Sequence, residues 1–240
     1  MTSEVLEPAL SQALKEDPEA YWAAVREVRL RDPETVFAAL SPLAISQDPL
    51  LRQLVPDVLR GMPALVEKMV ALFKQMLATE EDAGVLDAIA AVFTEVKHAS
   101  VVELLLPITK HELPELRLSA MQGLVQALEQ VMDRFIALAA DQEGEVRAWA
   151  LFALSALVEV RPQHVGALRE VFVAHMNDPH AEAKAESVLG LARCSDRRSL
   201  DPVAIGLRAQ TPMDQYVDAA KFLIAKGIGA DVLRRALSKI

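Results

Sequence analysis

The 240-residue sequence is poor in cysteine, glycine and positive charge, and each shortage excludes a class of protein. A single cysteine excludes a disulfide framework and a zinc site made of cysteines, and it fits a reducing compartment. Nine glycines are fewer than a β-sandwich or a phosphate-binding α/β enzyme of this length normally needs. The 25 Lys and Arg are outnumbered by 34 Asp and Glu, and the net charge of −9 argues against binding to DNA or RNA.

Long apolar runs are also missing from the sequence. The longest, Ala148 to Val158, is far shorter than the ~20 residues that cross a bilayer. The N-terminal segment MTSEVLEPALSQALKEDPE is acidic and polar, unlike a secretory signal peptide. The hydrophobic content of 52% is nevertheless enough for a large buried core. We therefore expect a folded, cytoplasmic protein.

Apolar residues recur at intervals of three and four, which is the period of an amphipathic helix. In the segment EVRAWALFALSALVEV, for example, Val146, Ala150, Leu154 and Leu157 lie on one helical stripe. The sequence shows no sustained apolar–polar alternation, which is the pattern of a half-buried strand. It therefore predicts an all-α protein.

The helical pattern also repeats along the chain, with anchors at positions 52, 86, 117, 147 and 184 in steps of 30 to 37 residues. Asp-Pro pairs, which favour helix starts, fall near the boundaries between copies. Pro56 and Pro107 lie inside predicted helices and should kink or end them. The spacing predicts pairs of antiparallel helices. The first helices are predicted near 4–15, 34–44, 64–78, 101–110, 131–140, 163–176, 199–209 and 229–239, and the second helices near 18–30, 49–61, 82–97, 114–128, 143–159, 179–194 and 213–226.

The repeated unit carries a recognisable motif. The pattern D-x-E-x-V-R-x-x-A-x-x-A-L occurs here as QEGEVRAWALFAL and, in softer form, as LPELRLSAMQGL. It resembles the HEAT-like repeats of bacterial proteins, and its short period is similar to that of the lyase-type subgroup, named after phycobilisome linker enzymes. The closest match covers residues 141–196, and the resemblance extends over 46–227. Leu86 and Lys184 stand where the motif has arginine.

The resemblance implies a right-handed α-solenoid of about seven antiparallel helix pairs, because one pair cannot bury its apolar face alone. We expect a single domain over 1–240, with the clearest repeats at 46–227 and caps at 1–45 and 228–240. The resemblance also implies that the basic residue after each apolar anchor is structural and pairs with an acidic residue of a neighbouring loop. These basic residues are Arg52, Arg117, Arg147 and Lys184.

The second helices would line the concave surface of a solenoid, where partners usually bind. Trp149 and Phe152 are three residues apart and share a face that is not the core stripe. They form either an interaction hot spot or, in the case of Trp149, the filling of a gap between neighbouring pairs. The predicted partner-binding residues are Ser119, Gln122, Gln126, Trp149, Phe152, Glu186, Leu189 and Arg193.

The negative charge is concentrated before residue 184. Residues 184–240 contain ten Lys and Arg and six Asp and Glu, so the preceding residues carry a net charge of −13. Such an acidic surface either attracts a basic protein partner or only keeps the protein in solution.

Reactive side chains form no recognisable catalytic or metal-binding pattern. His175 and His180 flank Asp178, but their spacing favours a polar loop over a metal site. Cys194 falls on a core position of its helix, and no phosphate loop, nucleophile elbow or pair of catalytic carboxylates stands out. We therefore predict no cofactor and no metal.

These observations favour a non-catalytic scaffold that binds a protein partner through its concave face. A more specific version is an acidic inhibitor or immunity-type protein that sequesters a basic toxin or enzyme. The alternative is a HEAT-fold enzyme, similar either to alkylpurine DNA glycosylases, which hold DNA in a basic groove, or to chromophore lyases, which bind a tetrapyrrole. We expect neither nucleic acid nor a membrane among the partners.

Overall fold

The computed structural model describes residues 18–238, and this part of the chain contains fourteen α-helices, six short 3₁₀ helices and no β-strand. The prediction of an all-α protein is confirmed for these residues. The α-helices are α1 (Pro18–Arg29), α2 (Pro33–Leu40), α3 (Pro49–Leu59), α4 (Val66–Leu77), α5 (Ala83–Val92), α6 (Val101–Leu105), α7 (Pro114–Leu124), α8 (Met132–Leu138), α9 (Gly144–Val160), α10 (Val165–His175), α11 (Ala181–Arg193), α12 (Leu200–Gly206), α13 (Asp214–Ala225) and α14 (Ala230–Leu237). The 3₁₀ helices are Ser41–Ile45, Pro63–Leu65, Ile108–Lys110, Val125–Ala127, Pro162–His164 and Arg197–Ser199.

The helices follow the predicted order of first and second helices. The second helices expected at 49–61, 143–159 and 213–226 correspond to α3, α9 and α13. Three first helices end at least three residues early, since α2, α6 and α12 end four, five and three residues before the predicted ends at 44, 110 and 209. The helix predicted at 4–15 lies outside the described residues.

The two prolines expected to disturb helices behave differently. Pro107 comes two residues after the end of α6, as expected of a residue that has no N–H to continue the helix. Pro56 lies inside α3, which continues to Leu59. The N–H of Arg60 bonds to the carbonyl of Pro56 at 2.9 Å, so hydrogen bonding resumes directly after the ring.

Two of the aspartates that precede prolines cap helices, whereas Asp201 lies inside the first turn of α12, whose N-terminal cap position is Ser199. Asp32 accepts a hydrogen bond from the N–H of Thr35 at 2.8 Å and caps α2. Asp48 accepts one from Leu50 at 3.0 Å and caps α3. The expectation that Asp178 starts a helix is wrong: α11 begins three residues later, because an arginine described below holds this carboxylate.

The described residues divide into two compact units, with the boundary between residues 127 and 128. In the first unit, α3 packs beside α1 and α5, and α5 packs beside α7. In the second unit, α9 packs beside α11 and α11 beside α13, while α8, α10 and α12 cover α9, α11 and α13 respectively. The predicted second helices of successive pairs are therefore neighbours within each unit.

Small residues let the two helices of a pair approach closely. A Cβ added to Gly190 of α11 would lie 2.4 Å from the ring of Phe172 in α10. A Cβ added to Gly123 of α7 would lie 2.4 Å from the side chain of Leu105 in α6. Both distances are well below the ~3.5 Å of a carbon–carbon contact, so only glycine fits at these two crossings.

We predict that Gly190→Ala lowers the free energy of unfolding by about 1 to 3 kcal/mol, because the new methyl group overlaps a ring that is fully buried. Urea denaturation followed by circular dichroism measures the change. The matched control is Gly166→Ala in α10, where an added Cβ meets nothing within 4 Å. This control should be neutral or stabilising by up to about 1 kcal/mol. Equal effects of the two substitutions would contradict the close approach.

Candidate functional site

Helices α9, α11 and α13 of the second unit share a small pocket, which we call the aromatic–acidic pocket. It has a volume of about 220 Å³. The rings on one wall come from α9, two carboxyl groups come from α11 and an amide comes from α13. The lining residues are Ala148, Trp149, Phe152, Glu182, Glu186 and Gln215.

The aromatic wall consists of two rings on adjacent turns of α9. Their centroids are 5.4 Å apart and their planes are inclined by 78°, which is an edge-to-face arrangement. Trp149 is half-buried and Phe152 is 45% exposed. Because the core stripe of α9 runs through Val146 and Leu154, the two rings lie beside the core rather than in it. Trp149 thus supports the pocket, and Phe152 presents the aromatic surface to solvent.

Glu186 is the unusual member of the pocket, because it is a carboxylic acid that is only 7% exposed. Its Oε1 accepts a hydrogen bond from Nε2 of Gln215 at 2.8 Å. Its Oε2 is buried and accepts no hydrogen bond from any described residue. Burial raises the pKa of Glu186 above its usual range, while the hydrogen bond from Gln215 and the charge of Arg193 act in the opposite direction.

Two predicted members of the partner-binding face are engaged inside the protein. Arg193 forms an ion pair with Glu159 at 2.5 Å and donates from Nη1 to Oγ of Ser155 at 2.8 Å. Leu189 is 6% exposed and belongs to the core of the second unit, because α13 packs beside α11 on that side. The prediction that Leu189 lies on an accessible face is therefore corrected.

The predicted binding residues of the first unit do not form a comparable pocket. Ser119 donates a hydrogen bond from Oγ to the carboxylate of Asp87. Gln126 donates from Nε2 to the carbonyls of Phe93 at 2.7 Å and Val96 at 3.1 Å, so it binds the chain that follows α5. Gln122 is exposed.

Sequence reasoning missed three pocket residues, Ala148, Glu182 and Gln215. Glu182 precedes the anchor Lys184 by two positions, so extending the register two positions upstream of each anchor would have found it. Gln215 lies beyond the last anchor, and Ala148 is a small apolar residue next to the anchor Arg147, so neither carries a comparable signal.

The predicted structural arginines bind loops. Arg147 makes a two-point ion pair with Asp178, through Nε at 2.8 Å and Nη2 at 2.7 Å, and its Nη1 donates to the carbonyls of Asp141 and Gln142. Asp178 comes from the loop before α11, so this guanidinium joins two successive helix pairs. It lowers the pKa of Asp178 to about 2, with a smaller contribution from the N–H of His180.

Arg52 repeats this arrangement in the first unit. It binds both carboxylate oxygens of Glu80, at 2.7 and 2.9 Å, and donates to the carbonyl of Ser46 at 2.8 Å. Arg117 donates to the carbonyls of its own preceding loop, residues 111 and 112. Lys184 is half-buried and makes no ion pair within residues 18–238, which separates it from Arg52 and Arg147.

The remaining reactive side chains serve the loops and the core. His175 lies 3.4 Å from Asp178, and the N–H of His180 donates to the same carboxylate at 2.9 Å. Among the described residues no three His, Cys, Asp or Glu side chains are placed to hold a metal ion. Cys194 is buried, and burial raises the pKa of its thiol to about 11, which disfavours the nucleophilic thiolate.

Within residues 18–238, every helix is too short or too polar to cross a bilayer.

This chain is similar to protein YibA of Escherichia coli both in sequence and in structure. No family model matches the chain. Protein YibA of Escherichia coli strain K12 is 31% identical over 80 residues, which is 33% of this chain and 27% of that protein, and YibA of strain O157:H7 gives the same values. The matched segment thus spans about a quarter of the curated relatives. The crystal structure of Escherichia coli YibA superposes with a TM-score of 0.78 at 18% identity, covering 100% of this chain and 88% of that one. This likeness shows a shared fold.

We predict that Asp178→Asn lowers the free energy of unfolding at pH 7 by about 2 kcal/mol, the value of a carboxyl pKa that falls from about 4 in the unfolded chain to about 2 in the folded protein. Because the folded-state pKa is depressed, this contribution is complete above pH 4 and is lost as the pH falls through 2. The difference between wild type and variant should therefore shrink between pH 4 and pH 2 in urea titrations.

The control for this experiment is Asp201→Asn in the exposed first turn of α12. It should change the stability by less than about 0.5 kcal/mol at every pH. A pH-independent loss in Asp178→Asn would show that the ion pair does not control the effect.

Proposed function

We propose that the chain is a non-catalytic interaction scaffold, a cytoplasmic α-solenoid of HEAT-like helix pairs that binds a protein partner through its concave face. The single solenoid domain over 1–240 and the relation to HEAT-like repeats belong to this proposal. The side-by-side packing of successive second helices within each unit supports it. In the second unit these helices carry the aromatic–acidic pocket, and we place the partner there.

The observation that carries the proposal is the pair of rings of Trp149 and Phe152 at an open pocket. An aromatic side chain that is 45% exposed beside a half-buried tryptophan has the composition of an interface hot spot, because both rings lose water when a partner covers them. The pocket of about 220 Å³ is smaller than the ~300 Å³ lower end of small-molecule sites. It therefore suits one side chain of a larger partner.

Charge supports a basic partner, as in the inhibitor or immunity-type version of the scaffold. The net charge of the chain is −9, and the pocket itself contributes Glu182 and Glu186. An acidic surface accelerates the encounter with a basic protein and disfavours acidic ones.

A glycosylase-like enzyme would instead need cationic side chains free to bind phosphates. Arg193, the basic residue predicted on this face, is already paired with Glu159. Salt-dependent binding of duplex DNA that is lost in Arg193→Ala would overturn the scaffold proposal in favour of this alternative. Visible absorbance from a bound tetrapyrrole after purification would favour a chromophore lyase.

We predict that Phe152→Ala weakens binding to the partner by about tenfold or more, since exposed aromatic anchors dominate interface energies. The partner is first captured from a lysate of the source organism by wild-type protein and identified by mass spectrometry. It is then purified, and its dissociation constant is measured for wild type and variant by calorimetry.

The matched control is Ile205→Ala, which removes an apolar side chain that is 66% exposed on α12 and lies outside the pocket. It should leave the dissociation constant unchanged. Equal affinity of wild type and Phe152→Ala for every captured protein would remove the proposed binding face.

A further inference from the structure

Glu186 combines two properties that packing alone does not require. It is more than nine-tenths buried, and one of its two carboxylate oxygens has no hydrogen-bond donor among the described residues. Buried polar atoms are normally paired, and an ionised oxygen without a donor is the least favourable case. The unpaired oxygen is itself covered, but Glu186 lines an open pocket, so a positive charge bound there can stabilise the ionised carboxyl group.

We propose that the aromatic–acidic pocket binds one cationic side chain, lysine or arginine, of the protein partner, with Glu186 as its counter-ion. This inference rests on the proposed function and names the chemistry that the same face recognises.

The first argument for a cation is the donor set around Glu186. Gln215 supplies one neutral donor to Oε1, and Oε2 is left without a hydrogen-bond donor among the described residues. The nearby guanidinium of Arg193 donates to Ser155 and pairs with Glu159, so it makes no hydrogen bond to Glu186. A carboxylate accepts hydrogen bonds only, and a donor that also carries positive charge forms the stronger bond.

The second argument is the pair of aromatic rings that line the same pocket as the carboxyl groups. The face of an aromatic ring attracts a cation within about 6 Å, and the attraction increases when water is excluded. Trp149 and Phe152 provide two such rings next to Glu186 in one cavity. A ring pair with an acidic group fits an ammonium or guanidinium ion better than a neutral amide.

Charge and polarity exclude the other simple occupants. A phosphate or carboxylate would meet Glu182 and Glu186 in the same cavity. An apolar side chain would cover Oε2 without giving it a donor, which makes the burial of that atom more costly. Burial also raises the pKa of Glu186, so a bound cation would stabilise the ionised form that the empty protein disfavours.

The experiment uses the Trp22→Phe variant, in which Trp149 is the remaining one of the two tryptophans in the sequence. Trp22 belongs to α1 in the first unit and is not a lining residue of the pocket. The fluorescence of Trp149 is followed during titration with Nα-acetyl-lysine amide, with Nα-acetyl-arginine amide and with the Nε-acetylated lysine derivative, which is neutral. We expect saturable binding of at least one cationic derivative and no saturation with the neutral one.

Glu186→Gln in the same background tests the counter-ion, since it keeps the shape of the side chain and removes its charge. We expect the dissociation constant of the cationic derivative to rise by about tenfold or more, the value of a charge-assisted hydrogen bond. The matched control is Glu145→Gln, which removes an exposed carboxylate from the first turn of α9 and should change the constant by less than about twofold. Thermal melts establish that each variant is folded.

Phe152→Leu is a second variant that keeps an apolar side chain at an exposed position and removes one ring. It should weaken binding of the cationic derivative by about threefold or more, as expected for the loss of a cation–π contact. It serves as the test if Glu186→Gln fails to fold.

Equal binding of the cationic and neutral derivatives, or unchanged affinity in folded Glu186→Gln, would overturn the inference. Failure here is distinguishable from failure of the scaffold proposal. Suppose that Phe152→Ala weakens binding of the purified partner while neither cationic derivative binds the pocket. The scaffold proposal is then supported, and the counter-ion role of Glu186 is contradicted.

Discussion

The close approach of the two helices in a pair is the constraint on which the rest of the structure depends. At Gly190 and Gly123 the second helix has no side chain, and the ring of Phe172 or the side chain of Leu105 occupies that space. One face of the second helix α9 packs against α8, the first helix of its own pair. Another face packs against α11, the next second helix, and a further part of α9 stays exposed at side chains such as Phe152. The position of the aromatic–acidic pocket is thus a consequence of packing inside each pair.

The arginine at the start of α9 determines where the next pair lies. Arg147 binds the loop before its own helix and, through Asp178, the loop before α11. A planar guanidinium with several donors can hold both loops at once, which a lysine cannot do with the same geometry. This contact fixes the offset between α9 and α11 and brings the rings of Trp149 and Phe152 alongside Glu186. Arg147 does not line the aromatic–acidic pocket, but it helps to position the two helices that do.

The sequence predicted the helices well because their signals are local. Apolar spacing located α3, α9 and α13, and the carboxylates of Asp32 and Asp48 cap helices as their position before proline indicates. The failures arise where tertiary contacts decide the outcome. Asp178 is held by a distant arginine and Leu189 is covered by α13, and neither fact is contained in the register of one helix. The register gives the direction of a side chain along its helix, but not how far the neighbouring helix covers it.

The burial of Glu186 makes ionisation of this side chain unfavourable for the stability of the fold. Its folded-state pKa is raised, so the folded protein binds the proton more tightly than the unfolded chain does. The sign is therefore opposite to that of Asp178: stability falls as the pH rises from the usual glutamate range through the raised pKa, because the ionised side chain weakens the fold. A glutamine at this position would keep a carbonyl acceptor for Gln215 and remove the penalty of a buried charge. The hydrogen bond from Gln215 and the charge of Arg193 offset this penalty in part, and a cationic side chain of a partner, as we propose, would offset more of it.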